Sequence, residues 1–533
     1  MRAPLIVVLL VAVVAVPAAG RRLDTVVTID AGIVRGAAAG GVVAFKGIPY
    51  AAPPLGRLRW RAPQPVVPWR GERDATGYGH DCLQKPIKSD AAPLGTVPDE
   101  DCLVLNVWTR SAAGDRRPVL VWIHGGGYVN GGSSAAVYDG SGFARRGLVV
   151  VSLNYRLGRF GFFEHPALIA EGADPVGNYG YLDQLAALRW VQRNIAAFGG
   201  DPRTVTIAGE SAGGASVLDL LASHGDEGLF HRAIVMSGGG RGHLLGGRPL
   251  DGGRLLEPSA DRIGVAFAKS VGVDGDDAAA LDALRRLPDK DVVGDLNMTG
   301  LFLRTILPLG KLKYAEGPIV DGRVVRGAPG DILPRNGARV PILIGSTSGD
   351  LSTWFPSSKD KLFEYFGDLD APARRLYDPR GSAKKNDVVS MAGADRTMHE
   401  PARFVARAMS ASGAPAWLYR FSYVAESERP KVKAAGHASE LPFMFDTLDA
   451  RYGQAATGRD RTAAAAFHAY LANFAATGDP NSDRLPSWRR VGGGDDQLLD
   501  FTASDGPRMT RDPWRERLDL IERAAEQAAR SRR

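Results

Sequence analysis

The chain has 533 residues, 44% hydrophobic and 23% charged, with a formal net charge of +7. That balance is ordinary for a globular protein and excludes intrinsic disorder, a collagen-like repeat and a polytopic membrane protein. Two cysteines are too few for a disulfide scaffold or a cysteine-rich zinc protein. The small basic excess is not gathered in one run, which argues against nucleic acid as a partner.

The first twenty residues read as a secretory signal peptide, separate from a single domain over residues 21–533. Arg2 gives a positive start, Leu5 to Val16 is an uninterrupted apolar run, and Pro17-Ala18-Ala19-Gly20 closes it with small residues before Arg21-Arg22. Cleavage is expected near Ala19 or Gly20. The run is shorter than the roughly 20 residues a membrane span needs; an uncleaved anchor is the alternative. The expected location is secreted or periplasmic, with no stable membrane anchor after cleavage. Cys82 and Cys102, an even pair in an exported chain, are expected to form one disulfide. It closes a loop of about 20 residues and stabilises by about 3 kcal/mol in the chain-entropy account. Two free thiols are the alternative.

To about Trp69 the chain reads as hairpins and turns, punctuated by Gly36, Gly40, Gly41, Gly47, Gly56 and Pro53-Pro54. Strands are predicted at Val42–Ile48, Leu103–Trp108, Val119–His124, Leu148–Asn154, Val205–Ala208, Ala233–Met236, Val340–Ile344 and Trp417–Tyr423. Most are apolar without alternation, as strands covered on both faces are. Leu182, Leu185, Leu188, Val191 and Ile195 recur at helical spacing, and Gly199-Gly200 ends that helix. Strands alternating with helices predict an α/β fold around a large, mostly parallel sheet. The stretch 238–334, with a helix near Asp277–Leu287, breaks the rhythm and is expected to form a cap-like insertion. A last helix is expected from near Pro513, ending in the solvated cluster Arg530, Arg532 and Arg533.

The strongest chemical signal is Gly209-Glu210-Ser211-Ala212-Gly213 between a β-rich run and a helix-compatible one. A strand–turn–helix with this G-x-S-x-G spacing lifts the serine hydroxyl over the end of a sheet, and the glycines let the chain fold back closely. His124-Gly125-Gly126-Gly127 follows the strand ending at Ile123. Such a run turns backbone N–H groups toward a developing oxyanion, so Gly126, Gly127 and Ala212 are the candidate donors. Of the histidines after Ser211, His224 and His231 lie too close to leave room for an acid strand, and His399 and His468 sit in helical patterns. His437 lies in a small-residue loop after a strand, where catalytic groups concentrate. Asp350 follows Val340–Ile344 through a short Gly/Ser loop and is the candidate acid. Asp331 and Asp395 read instead as a turn residue and a helix N-cap. The expected roles are attack by Ser211, proton transfer by His437 and orientation by Asp350. Tyr128, Trp354 and Phe355 either line an apolar pocket or are core aromatics.

The chain resembles the type-B carboxylesterase/lipase family, the cholinesterase-like branch of the α/β-hydrolases. The resemblance rests on Phe45-Lys46-Gly47-Ile48-Pro49-Tyr50-Ala51, on Glu100-Asp101-Cys102-Leu103-Val104-Leu105-Asn106-Val107, and on Gly177-Asn178-Tyr179-Gly180-Tyr181-Leu182-Asp183-Gln184. Phe198-Gly199-Gly200-Asp201-Pro202, the serine turn and Gly478-Asp479-Pro480-Asn481 extend it over nearly the whole chain. The resemblance implies an α/β-hydrolase fold, Ser211 and His437 as catalytic residues, hydrolysis of small-molecule carboxylic esters, and neither metal nor organic cofactor. It also implies the Cys82–Cys102 bridge and ion pairs Arg59–Glu100 and Arg156–Asp183. Glu210 matches the acidic neighbour of the nucleophile, either stabilising the imidazolium or serving as a structural carboxylate. Two departures stand out. The family acid is usually Glu, often after Asp, where this chain has Gly349-Asp350, so a shorter side chain must reach His437. The Cys82–Cys102 loop has no aromatic residue, which argues against holding a choline head by cation–π attraction. The rival readings are a non-catalytic binding or adhesion protein, and an acyltransferase using the same acyl-enzyme.

Overall fold

A computed structural model describes residues 23–87, 91–172, 175–225, 227–253, 258–301, 312–336, 339–492, 496–502 and 506–530. The expected signal segment, residues 1–20, lies outside the described residues, as do Arg532 and Arg533.

Eleven strands form the central sheet: β1 Ala37–Ala39, β2 Val42–Pro49, β3 Val104–Thr109, β4 Arg117–Ile123, β5 Val149–Leu153, β6 Gly200–Glu210, β7 Arg232–Met236, β8 Ile342–Thr347, β9 Ala416–Phe421, β10 Gln497–Thr502 and β11 Gly506–Arg511. Their spatial order is β11-β10-β9-β8-β7-β6-β4-β5-β3-β2-β1. From β5 across to β10 every neighbouring pair is parallel. The flanking pairs β5–β3, β3–β2, β2–β1 and β10–β11 are antiparallel. This is the α/β-hydrolase fold, a large mixed sheet with helices on both faces. The predicted strands all lie in this sheet; its β10–β11 edge was not foreseen. A small sheet of Val26–Ile29, Gly32–Arg35 and Glu72–Asp74 carries the N-terminal turns.

Period-2 geometry explains why the central strands are apolar throughout. Val119, Val121 and Ile123 of β4 face one core with helices Tyr179–Asn194, Ala212–His224 and Glu400–Ala411. Leu120 and Trp122 of the same strand face the other core, with helix Gly458–Thr477. Burial of each such side chain is worth about 1.5–3 kcal/mol, so slipping a strand by one residue gains nothing and register is set by hydrogen bonding and loop geometry.

Cys82 and Cys102 form a disulfide. Arg59 donates bidentately to Glu100 at 2.7 and 2.6 Å, and Arg156 to Asp183 at 2.8 and 2.7 Å. Both pairs are buried and bidentate, the geometry under which buried charges are tolerated.

Between β7 and β8 the chain leaves the sheet. It forms helices Ala260–Ser270, Ala278–Arg285, Asp289–Val293 and Pro329–Asn336, and a short parallel pair of Arg248–Pro249 with Ile319–Val320. Asp331 therefore sits in a first helical turn rather than a loop turn. Asp395 is not an N-cap: it lies inside a continuous helical run, buried against His399, Tyr377 and Arg517. Among the described residues no helix is long and apolar enough to cross a membrane.

Candidate active site

Strand β6 ends at Glu210 and helix Ala212–His224 begins one residue later, so Ser211 alone makes the reversal. It does so at φ 56° and ψ −123°, a conformation costing about 1–3 kcal/mol that persists only where the surroundings enforce it. The enforcement is visible. The Ser211 N–H donates to the carbonyl of Met236 at 2.9 Å, tying the turn to the end of β7. A Cβ on Gly209 would collide with Gly213, and one on Gly213 with the carbonyl of Ile123. Any other residue at either position would push helix and strand apart.

The glycine loop after β4 rests on this turn. A Cβ on Gly125 would lie 3.1 Å from that of Ser211. Gly126 and Gly127 have φ of 103° and 62°, values that favour glycine. A Cβ on Gly127 would come within 2.6 Å of Met298 Sδ. Among the described residues no hydrogen bond engages the N–H of Gly126, Gly127 or Ala212; that of Ala212 is one of the helix's unsatisfied first donors. Tyr128, at φ 61°, anchors the loop from below. It is a core residue: its ring packs edge-on against Phe162 and Tyr181, its hydroxyl meets that of Tyr181 at 3.0 Å, and Tyr181 donates to Asp219 at 2.6 Å. Trp354 is partly buried against Tyr365.

The loops after β8 and β9 carry Asp350 and His437, and parallel pairing puts both at the Ser211 end of the sheet. His437 Nε2 lies 2.8 Å from Ser211 Oγ, and Nδ1 lies 2.6 Å from Asp350 Oδ1. With Nδ1 protonated toward the carboxylate, Nε2 is left to accept from the serine hydroxyl. Asp350 is held by further donors: the Ser237 hydroxyl at 2.6 Å, the Thr347 N–H at 3.1 Å and the Leu351 N–H at 2.8 Å.

Gly349 explains how the shorter acid reaches. Its N–H donates to the carbonyl of Ala435 at 2.7 Å, and it forms a parallel bridge with Gly436. A Cβ there would stand 2.9 Å from that of Ala434. The missing side chain lets the acid loop approach the histidine loop, and that approach compensates for the missing methylene.

Three carboxyl groups surround His437. Burial opposes its charged form, but Glu210 and Asp350, then Glu440, outweigh it and push the imidazole up to about 9. Burial likewise raises the Asp350 carboxyl, yet His437 and the Ser237 hydroxyl bring it down to about 2. Glu440 is fully buried, and burial, then Glu210 and Asp350, hold its carboxyl well above the usual range. His124 is also buried, held down to about 4 by burial, and stacks on Tyr155.

Ser211, His437, Asp350, Glu210 and the three proposed N–H donors thus converge. Ser237 was not named from sequence, and Gly349 and Glu440 were given no role there. Each carries only a short motif context, and their roles depend on contacts between distant loops.

The family model described as the carboxylesterase family matches residues 23–520. The fumonisin B1 esterase of Sphingopyxis macrogoltabida is 34% identical over 85% of this chain and 82% of its own length. The para-nitrobenzyl esterase of Bacillus subtilis is 34% identical over 86% of this chain and 91% of its own. The crystal structure of the Geobacillus stearothermophilus carboxylesterase EST55 superposes with a TM-score of 0.73 at 33% identity, covering 93% of this chain and 100% of that one. Fold, motifs and relatives agree, and the chain belongs to the carboxylesterase family, a family of ester hydrolases.

Proposed function

We propose that this carboxylic ester hydrolase is an exported serine esterase working through an acyl-enzyme. The observation that supports this reading most is the run of contacts from Ser211 Oγ to His437 at 2.8 Å and from His437 to Asp350 at 2.6 Å. Ser211 Oγ attacks the acyl carbon of a small-molecule ester while its proton passes to His437 Nε2. The carbonyl oxygen becomes an oxyanion within reach of the Gly126, Gly127 and Ala212 N–H groups, which need no reorganisation to receive it. The C–O bond to the alcohol breaks, and the imidazolium protonates the leaving oxygen. Water then attacks the acyl-serine, gives its proton to His437, and the acid departs as Ser211 regains that proton. Asp350 keeps Nδ1 protonated and favours the imidazolium.

Export is supported by the apolar N-terminal run and by the Cys82–Cys102 bridge, a bond that persists in oxidising compartments. The 238–334 stretch acts as a cap over the site. Met298 stands at the Gly127 position, and Leu245 lies 3.5 Å from where its Cβ would be.

The test is hydrolysis of 4-nitrophenyl esters from acetate to palmitate by the protein and by Ser211→Ala, with and without an added alcohol. Turnover that the substitution abolishes in a folded protein supports the reading. No cleavage by either protein favours a binding protein. Ester exchange with the alcohol in place of acid release favours an acyltransferase. Equal cleavage by both excludes Ser211.

A further inference from the structure

A cavity of about 490 Å³ adjoins the acid loop. Its walls are the loop 239–244, Thr353, the turn carrying Arg396 and Thr397, and the C-terminal helix Arg515–Arg530. Ser211, His437 and Asp350 do not line it, but two of its wall segments continue into the reaction site. Leu244 lines it, while Leu245 packs at the Gly127 position. Thr353 lies three residues beyond Asp350, and its N–H donates to the Thr397 hydroxyl at 3.4 Å.

Of the three basic side chains that line this cavity, two face carboxylates and one does not. Arg241 donates twice to Glu400 at 2.6 Å, and Glu522 stands 3.8 Å away. His243 lies 3.3 Å from Asp219, and Asp331 is on the same wall. Arg396 has no carboxylate partner among the described residues. Its guanidinium lies 4.9 Å from the ring centre of Trp354 and 4.7 Å from that of Tyr365. Cation–π contact uses the faces of the guanidinium, whereas its N–H donors point outward in its plane. The aromatic pair therefore fixes the group without using its donors. Arg396 is carried by a π-helical turn, Asp395–His399, between two α-helical segments. Such turns recur at functional sites. This one is docked on the end of β8, where His399 Nε2 lies 2.9 Å from the carbonyl of Thr347.

We propose that this cavity is a subsite for a carboxylate carried by the ester substrate, with Arg396 as the group that recognises it. A planar guanidinium with in-plane donors matches a carboxylate bidentately. The inference rests on the ester-hydrolase reading of the same site and adds a substrate class to it: anionic esters, with the charge on either the acyl or the alcohol part.

The experiment compares kcat/KM for matched pairs of esters. Mono-4-nitrophenyl adipate against 4-nitrophenyl hexanoate places the charge on the acyl part, and 4-acetoxybenzoate against phenyl acetate places it on the alcohol part. In one of the pairs the ratio of charged to neutral ester is expected to fall about 10- to 100-fold in Arg396→Gln, the range for a lost charged hydrogen bond, and less in Arg396→Lys. The pair that responds identifies the part of the ester that bears the charge. Should Arg396→Gln fail to fold, the wild type decides: added salt must depress the charged ester more than its neutral match. Hydrolysis of the neutral esters with both ratios unmoved by substitution, or with salt acting alike on both members, overturns the subsite and leaves the esterase reading intact. Hydrolysis of no ester removes the esterase reading and the subsite with it.

Discussion

Glu210 Oε1 lies 3.2 Å from His437 Nε2, the same nitrogen that faces Ser211 Oγ at 2.8 Å. One imidazole nitrogen thus stands between the reacting hydroxyl and a carboxylate. In the proposed mechanism the proton that leaves Ser211 arrives beside Glu210, and the charge this creates is stabilised where it forms. The same attraction holds the proton on His437 in the free protein, so it sets the pH at which the base becomes available.

That relationship predicts the pH profile. With His437 as the proposed base, turnover needs its neutral form, and its imidazole is raised above the usual 6.5 to about 9. The kcat/KM for 4-nitrophenyl butyrate should rise with pH and reach its midpoint above 6.5. Glu210→Gln removes the largest charge favouring the imidazolium and should move the midpoint down by about one unit or more. An unmoved midpoint would mean that Glu210 is a structural carboxylate.

Asp350 and Gly349 act as a unit. Asp350→Asn places an amide where Nδ1–H needs a carboxylate, and kcat should fall by about 10⁴, the loss known for this change in a serine triad. Gly349→Ala leaves the acid in place but sets a methyl 2.9 Å from Ala434 Cβ. Separating the two loops lengthens the Asp350–His437 contact, and kcat should fall about 10- to 100-fold with KM little changed. Steady-state kinetics on both variants checks this, with circular dichroism confirming the fold.

Glu164 predicts a slope in stability. Its carboxyl group is buried, and burial, opposed by the His165 backbone and assisted by Asp261 and Asp251, pushes it up from 4.5 to about 8. A folded-state value above the unfolded one means that the folded protein holds the proton longer. This contribution is complete below pH 4.5 and lost as the pH rises through 8. The urea midpoint should decline across that window in the wild type, and Glu164→Gln should flatten the decline.

The disulfide gives a further expectation. Cys82 and Cys102 are 20 residues apart in sequence, and releasing that loop should cost about 3 kcal/mol. Replacing both by Ser should lower the unfolding midpoint while leaving the KM of the surviving activity unchanged, because neither cysteine touches Ser211, His437 or Asp350.

The legible parts were those in which local chemistry and global geometry coincide. Gly209 and Gly213 flank Ser211 because strand, helix and the end of β4 meet there, so five residues describe the turn. The strands from β2 to β9 were legible because double-sided burial forces continuous apolar runs. β10 and β11 were not: they form the sheet edge, and Asp500 paired with Arg508 breaks the apolar pattern. β6 begins at Gly200, earlier than the predicted Val205, because Gly200-Asp201-Pro202 looks like a turn until Gly200 pairs with Arg117. Asp395 was misread because an N-cap and a buried ion-pair acid are the same letter in a helical context. Ser237 reaches Asp350 from 113 residues away, and Glu440, though three residues from His437, is marked out only by its burial beside Glu210 and Asp350, which no local pattern shows.

The central claim is that Ser211 is the group that accepts the acyl chain. The measurement is intact mass spectrometry after brief exposure to 4-nitrophenyl butyrate at low pH, where release of the acyl group is slow, followed by peptide mapping. The account predicts a single butyryl addition on the peptide containing Ser211, present in the wild type and absent from Ser211→Ala. Turnover in the wild type with the butyryl group on another residue, or an equal addition in Ser211→Ala, would contradict it.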